Sequence, residues 1–295
     1  MFKYQYKVPK VEIKTTYGSI GIKNIIFAPG EIEKVLPDIV FDDENLKHMF
    51  AEDDLDNFKK RNIYRRFAPK TKTTLDLDEF IDKSMASNVS FYSFLAEGIL
   101  GLVFRDLYNY QLAKGIIDVN DTMNDSHTGV DACMYDLDNN IIVLGEAKFY
   151  GDLYSGINKI IEDFAKKSIK NKLESLQTAS ENCIETSRII IKNLGSDGYD
   201  ELTVDQFMNQ KIIFAGFVLH SEKDVSKYGN DDFYDIYKIS MQSLTTNVKK
   251  SLNVKYIKGE FEIIMVHLPI NSKKNLIAKI IETSRFKLSE LGGNI

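Results

Sequence analysis

The sequence predicts an α/β (α+β) fold, a mixed central sheet flanked by helices. Three observations lead there. From Phe91 onward, helical and extended patterns alternate as helix, hairpin, helix, strand, helix, strand, helix. Two extended runs flank Asp138-Asn139-Asn140, which has the chemistry of a tight turn. Two further apolar runs, Lys211 to His220 and Phe261 to Leu268, have the length and composition of buried strands.

The elements follow in order. Residues 3 to 28 look extended: Tyr4, Tyr6, Val8, Val11 and Ile13 alternate with polar residues, and Ile22 to Phe27 forms a second strand candidate ending at Ala28-Pro29-Gly30. The acidic stretch Glu31 to Asp56 suits short helices on a solvated face. Arg61, Arg65, Arg66, Lys70 and Lys72 then form a basic run interleaved with Tyr64 and Phe67. Thr74 to Glu79 opens a helix, and a long apolar helix follows over roughly Phe91 to Tyr110. Residues 118 to 129 read as a loop, and Val130 to Leu137 and Ile141 to Phe149 as the hairpin strands. Ile157, Ile160, Ile161, Phe164, Ile169, Leu173 and Leu176 recur at helical spacing between Gly156 and about Thr186. Tyr234 to Lys250 and the segment from Asn271 onward complete the helices. Residues 1–75 differ in composition and suggest an N-terminal subdomain of strands and short helices. No Pro/Gly/Ser linker marks the boundary, so one composite body stays open.

Composition excludes several classes. With 295 residues and 43% hydrophobic content, the chain can build a sizeable core, and disorder as the main state is excluded. Two cysteines, Cys133 and Cys183, form neither a disulfide framework nor a four-thiolate zinc site. Four widely spaced histidines show no zinc-site spacing. No apolar run is long enough for a bilayer, and the N-terminus lacks a signal core. These features predict a soluble, cytoplasmic protein. The net charge of -5 argues against nucleic-acid binding over the whole surface and leaves a local patch or a partner to supply it. No P-loop pattern is present, so any ATP dependence belongs to a partner.

Asp131, Glu146 and Lys148 carry the chemistry. Glu146 and Lys148 share a strand face because side chains alternate. A turn centred on Asp138-Asn139 sets Asp131 opposite Glu146, and one centred on Asn139-Asn140 sets it opposite Lys148. Either register gathers all three on one face within about 4.5 to 8 Å. A three-residue loop would send Asp131 to the other face unless a bulge compensates. The reading therefore demands one of the first two registers or a bulge. Asp131, Glu146 and the Ala147 carbonyl offer hard oxygen ligands to Mg²⁺, with Mn²⁺ as an alternative. Such an ion polarises a phosphodiester and lowers the pKa of bound water, and Lys148 can orient that water or stabilise developing negative charge. Glu97 is the only charged residue between Phe91 and Val103, and a carboxylate in that apolar helix needs a partner or a metal. Gly98 and Gly101, each costing about 1 kcal/mol of helix stability relative to Ala, would let this helix approach the sheet closely.

This order resembles the PD-(D/E)XK nuclease superfamily: Glu97 on a helix, Asp131 and Glu146-Ala147-Lys148 on successive strands, then a helix. The likeness covers about residues 91 to 176. It implies a restriction-endonuclease-like core, with Asp131 and Glu146 as metal carboxylates, Lys148 as the catalytic lysine and Glu97 as an accessory acid. Residues 76–295 would form that nuclease-like domain with C-terminal strand and helix additions. Val130 stands where the motif has proline, and Gly115 to Val119 is a candidate for the first core strand. Phe94-Leu-Ala-Glu-Gly, Thr128-Gly-Val-Asp, Gly145-Glu-Ala-Lys-Phe, Phe214-Ala-Gly-Phe-Val-Leu-His220 and Val266-His-Leu-Pro269 further resemble the HamA family, the nuclease subunits of the bacterial Hachiman antiphage system. That resemblance implies a DNA-degrading effector held with a superfamily 2 helicase, HamB.

Plainer roles stand beside these. Glu97 can pair with Arg105 or a lysine. Lys166, Lys167, Lys170 and Lys172 can contact a DNA backbone or simply cover a solvent face. The basic run from Arg61 can serve DNA, a protein partner or solvation. A catalytically silent binding or regulatory module on the same fold, and a ribonuclease, are the alternatives to a deoxyribonuclease.

Overall fold

The computed structural model describes residues 10–17, 20–27, 31–50, 53–67, 79, 91–112, 132–136, 138–139, 141–165, 211–221, 231–232, 235, 237, 246 and 261–292. Its strands are β1 (Lys10–Tyr17), β2 (Ile20–Phe27), β3 (Gln111–Leu112), β4 (Ala132–Asp136), β5 (Ile141–Tyr150), β6 (Lys211–His220) and β7 (Phe261–Pro269). The helices used below are α1 (Glu31–Val40), α2 (Asp43–Phe50), α3 (Asn57–Phe67), α4 (Phe91–Tyr108), α5 (Leu153–Asp163) and α6 (Lys273–Glu290).

The strands form one mixed sheet in the order β1-β2-β7-β6-β5-β4-β3. The inner strands β2, β7, β6 and β5 run parallel, and each end is finished by antiparallel pairing. Parallel strands are covered on both faces, which is why β6 reads as an unbroken apolar run rather than an alternating one. The sheet is thus the predicted mixed one flanked by helices, and the N-terminal hairpin is hydrogen-bonded into it through β2.

Local chemistry sets the helix ends. Asp42 Oδ1 accepts from Glu44 N and Asn45 N at the start of α2, and Asp56 Oδ1 accepts from Lys59 N at 2.7 Å at the start of α3. Asp152 caps α5 through Ser155 N, and Ser272 caps α6 through Asn275 N. Helix α4 stops at Asn109, whose φ of 59° is the left-handed conformation that ends helices. Among the described residues, no helix is long and apolar enough to cross a membrane.

The two sheet faces hold different cores. One face presents Val143, Ala147, Ile213, Ala215, Phe217, Ile264 and Val266, and its cluster includes buried residues of α1, α2, α3, α4 and α6. The other face presents Leu144, Phe214 and Val218, and α5 lies on it. Phe164, just past α5, sits 5.0 Å from Phe214 ring to ring. A Cβ at Gly156 of α5 would stand 2.5 Å from Val218 Cγ1.

The basic run is helical where it is described: Arg61, Arg65 and Arg66 lie in α3, which buries Ile63, Tyr64 and Phe67. Arg61 donates through Nε to the Leu291 carbonyl at 3.0 Å and so closes the end of α6. Gly98 does not open α4 toward the sheet. A Cβ there would run into Met49 Cε, so it admits α2 instead. The helix expected from Thr74, the loop 118–129, the strand candidate Gly115 to Val119 and most of the helix expected over Tyr234 to Lys250 lie outside the described residues.

Candidate active site

The hairpin register decides which side chains meet. Ala132 pairs with Gly145, Cys133 with Leu144 and Asp136 with Ile141, around turn residues Asp138 and Asn139. This is one of the two registers the site required. The described part of β4 begins at Ala132, and Asp131, the next residue back, lies outside the described residues.

Glu146 lies near the middle of β5, where the cross-strand neighbour on β6 is Gly216. A Cβ at Gly216 would collide with Met265 Sδ and stand 3.2 Å from Ile160 Cγ2. Apolar atoms therefore close over that side, and Glu146 is 1% exposed. A carboxylate so placed demands a positive partner. Lys148, two residues on and on the same face, places Nζ 3.3 Å from Glu146 Oε2.

Sequence reasoning missed a second acid. Asp163, at the end of α5, is 2% exposed, and its Oδ2 lies 3.1 Å from Lys148 Nζ. Lys159, one turn earlier, reaches Asp163 Oδ1 at 3.4 Å and Glu162 Oε2 at 3.3 Å. Lys148 thus joins a strand carboxylate to a helix carboxylate. A signal was present: Asp163 follows Gly156 and Ile160 by seven and three residues, on the side of α5 that meets the sheet.

Glu97 approaches from the opposite layer. A Cβ at Gly145 would stand 2.8 Å from Leu100 Cδ2 and 3.1 Å from the Ala132 carbonyl, so glycine lets α4 sit close to β5 here. Beyond its end, α4 leads into β3, which pairs with Met134 and Tyr135, opposite Val143 and Ile142. Helix α4 therefore runs antiparallel to β5. Glu97 lies one turn before Leu100, about 4.5 Å along the axis, which brings it level with Glu146 and Ala147. It is 7% exposed. The two acids come from opposite sheet faces, level with the point where the described β4 pairing stops. Arg105, further along α4, bonds Asp106 Oδ1 at 2.8 Å and Asn45 Oδ1 at 2.8 Å.

The face carrying Glu146 and Lys148 continues into a second buried polar group. Asn24 of β2 accepts from Tyr237 Oη at 2.7 Å and lies 3.0 Å from His267 Nε2. Burial holds the His267 imidazole well below its ordinary pKa, and neighbouring His220 adds to that.

A family model for HamA matches residues 31–283. The chain belongs to the HamA family. The HamA match takes in Glu97, Glu146, Lys148 and Asp163, and also Asp131 and the lysines 166, 167, 170 and 172, which lie outside the described residues. No curated protein matches the chain.

Among the described residues, no group of three or more His, Cys, Asp or Glu side chains is spaced to hold a metal ion. A Mg²⁺ site needs only one or two carboxylates, because the ion retains most of its waters. Glu146 and the Ala147 carbonyl supply the hard oxygen donors such an ion prefers, and the buried setting makes a compensating cation worth more. The donor chemistry fits.

Proposed function

We propose that this chain is a metal-dependent nuclease of the PD-(D/E)XK type that hydrolyses DNA phosphodiesters. The observation that carries the reading is the buried Glu146 carboxylate with Lys148 beside it on the central strand β5, in a chain of the HamA family. A buried ion pair is a poor device for stability alone, since well-packed apolar residues serve as well or better. Its presence in mid-sheet favours a chemical role.

In this reading Glu146, Asp131 and the Ala147 carbonyl hold Mg²⁺ or Mn²⁺. When bound, the ion activates water and polarises the scissile phosphate. Lys148 presents its ammonium to the attacking water or to the negative charge that grows on the phosphate. Glu97 acts as an accessory acid from α4. The apolar closure by Met265 and Ile160 excludes bulk water from one side of Glu146. Lys166, Lys167, Lys170 and Lys172, following α5 in sequence, contact the DNA backbone. The acidic net charge of -5 fits a nuclease brought to DNA by a partner, here the helicase HamB of a cytoplasmic Hachiman antiphage complex.

The test is an assay of the purified chain, alone and with HamB and ATP, on linear duplex, supercoiled and single-stranded DNA and on RNA. Cleavage of DNA in Mg²⁺ or Mn²⁺ that stops in EDTA supports the proposal. Cleavage confined to RNA replaces the substrate. Silence in every lane favours a binding or regulatory module.

A further inference from the structure

We infer that Asp163 is the positioning residue for Lys148, an inference that rests on the nuclease reading of Glu146 and Lys148. Among the described residues Lys148 has two carboxylate neighbours at comparable range, Glu146 Oε2, hydrogen-bonded at 3.3 Å, and Asp163 Oδ2, ion-paired at 3.1 Å. Their duties differ. Glu146 belongs to the strand and, in the nuclease reading, would hold the metal, so its charge would be shared when a cation binds. Asp163 belongs to α5, is not among the metal ligands of that reading, and would stay with Lys148 throughout. Without it, the lysine would lose an anchor at the moment Glu146 turns to the metal.

The surroundings fix this acid in place. Helix α5 is capped by Asp152 and set against β6 at Gly156 over Val218 and at Ile160 over Gly216. Asp163 closes that helix, 2% exposed, and Lys159 holds its other oxygen at 3.4 Å. Lys159 is far more open than Asp163, its side chain 41% exposed against 3%. It thus aims Asp163 from outside and leaves the inner oxygen to Lys148. A packed helix end therefore sets the direction of the ammonium, as outer carboxylates orient metal-site ligands elsewhere.

The test uses the full chain, with HamB where the wild type needs it. Asp163→Asn keeps the shape and removes the charge. It lowers kcat for DNA cleavage about 10- to 100-fold. KM for DNA, the Mn²⁺ dissociation constant and the melting temperature stay close to wild type. Asp163→Glu, which restores the charge, recovers part of the loss. With lysine side chains labelled by ¹⁵N, the Lys148 ammonium resonance, assigned by its absence in Lys148→Arg, broadens or moves in Asp163→Asn. An unchanged kcat overturns the inference. So does a loss that tracks the melting temperature and is not rescued by Asp163→Glu. If the wild type cleaves nothing, the nuclease reading falls, and the resonance alone decides whether Asp163 holds Lys148: unchanged, it overturns the inference.

Discussion

Lys148 Nζ lies 3.3 Å from Glu146 Oε2 on one face of the central strand β5, and the same ammonium lies 3.1 Å from Asp163 on α5. One cation serves two acids that are almost fully buried. Removing it takes that charge from both acids, and Lys159, 3.4 Å from Asp163 Oδ1, offsets only part of the loss. Lys148→Ala is therefore destabilised in EDTA, by up to roughly 3 to 5 kcal/mol. Adding Mg²⁺ returns part of that loss, because a bound cation replaces the missing charge. Urea unfolding with and without the ion checks both halves. A variant as stable as wild type in EDTA would contradict the shared-cation account.

His48 makes the fold less stable on acidification. Burial, and then the nearby Arg105 guanidinium, push His48 down to about 4 from its ordinary 6.5. The unfolded imidazole takes up a proton near its ordinary value and the folded one only near 4. The unfolded state thus binds more protons between these values, and stability is lost as pH falls through that window. A shift of this size corresponds to roughly 3 kcal/mol. His267 is displaced in the same direction and adds in the same sense. His48→Asn should weaken the fall of the urea midpoint between the ordinary imidazole pKa and about 4.

Much of this was legible in the sequence, for identifiable reasons. Strand β6 was placed from Lys211 to His220 because a buried parallel strand is apolar on both faces. The turn chemistry of Asp138-Asn139-Asn140 left two registers on which the site could form, and the pairing is the one centred on Asp138 and Asn139. Helix α3 escaped because Asn57 to Phe67 carries its few apolar residues among five lysines and arginines, and only packing against α6 reveals which face is inward. Asp163 escaped because Glu162-Asp163 reads as a solvated pair. Which of the two turns inward depends on how α5 sits on Gly216 and Val218. His220 and His267 are distant in sequence, and parallel pairing of β6 with β7 makes them neighbours.

Gly216 is a packing position. A Cβ there meets Met265 Sδ and Cε and stands 3.2 Å from Ile160 Cγ2, in the strand next to Glu146. Gly216→Ala should destabilise the fold by about 1 to 3 kcal/mol through overpacking. Met265→Ala removes the obstructing atoms, so the double variant should lose less than the sum of the two singles. Additive losses would show that Met265 is not what Gly216 accommodates.

Asn24 and Tyr237 form a coupled pair. Asn24 Oδ1 accepts from Tyr237 Oη at 2.7 Å with both residues fully buried. Asn24→Ala leaves that hydroxyl without this acceptor and should cost about 1 to 3 kcal/mol. Tyr237→Phe removes the donor and should cost less. In the Tyr237→Phe background, Asn24→Ala should cost measurably less than in the wild type. Equal costs in both backgrounds would mean that the hydrogen bond contributes nothing of its own.

The central claim is that Glu146 and Lys148 perform metal-dependent phosphodiester hydrolysis. The most direct measurement compares wild type, Glu146→Gln and Lys148→Ala on one DNA substrate, under the conditions in which the wild type cleaves, across a Mg²⁺ titration. The account predicts that Glu146→Gln loses cleavage together with metal affinity. It predicts that Lys148→Ala keeps metal affinity and loses kcat by on the order of a hundredfold or more. Wild-type cleavage rates in both variants, or cleavage that persists in EDTA, would contradict it.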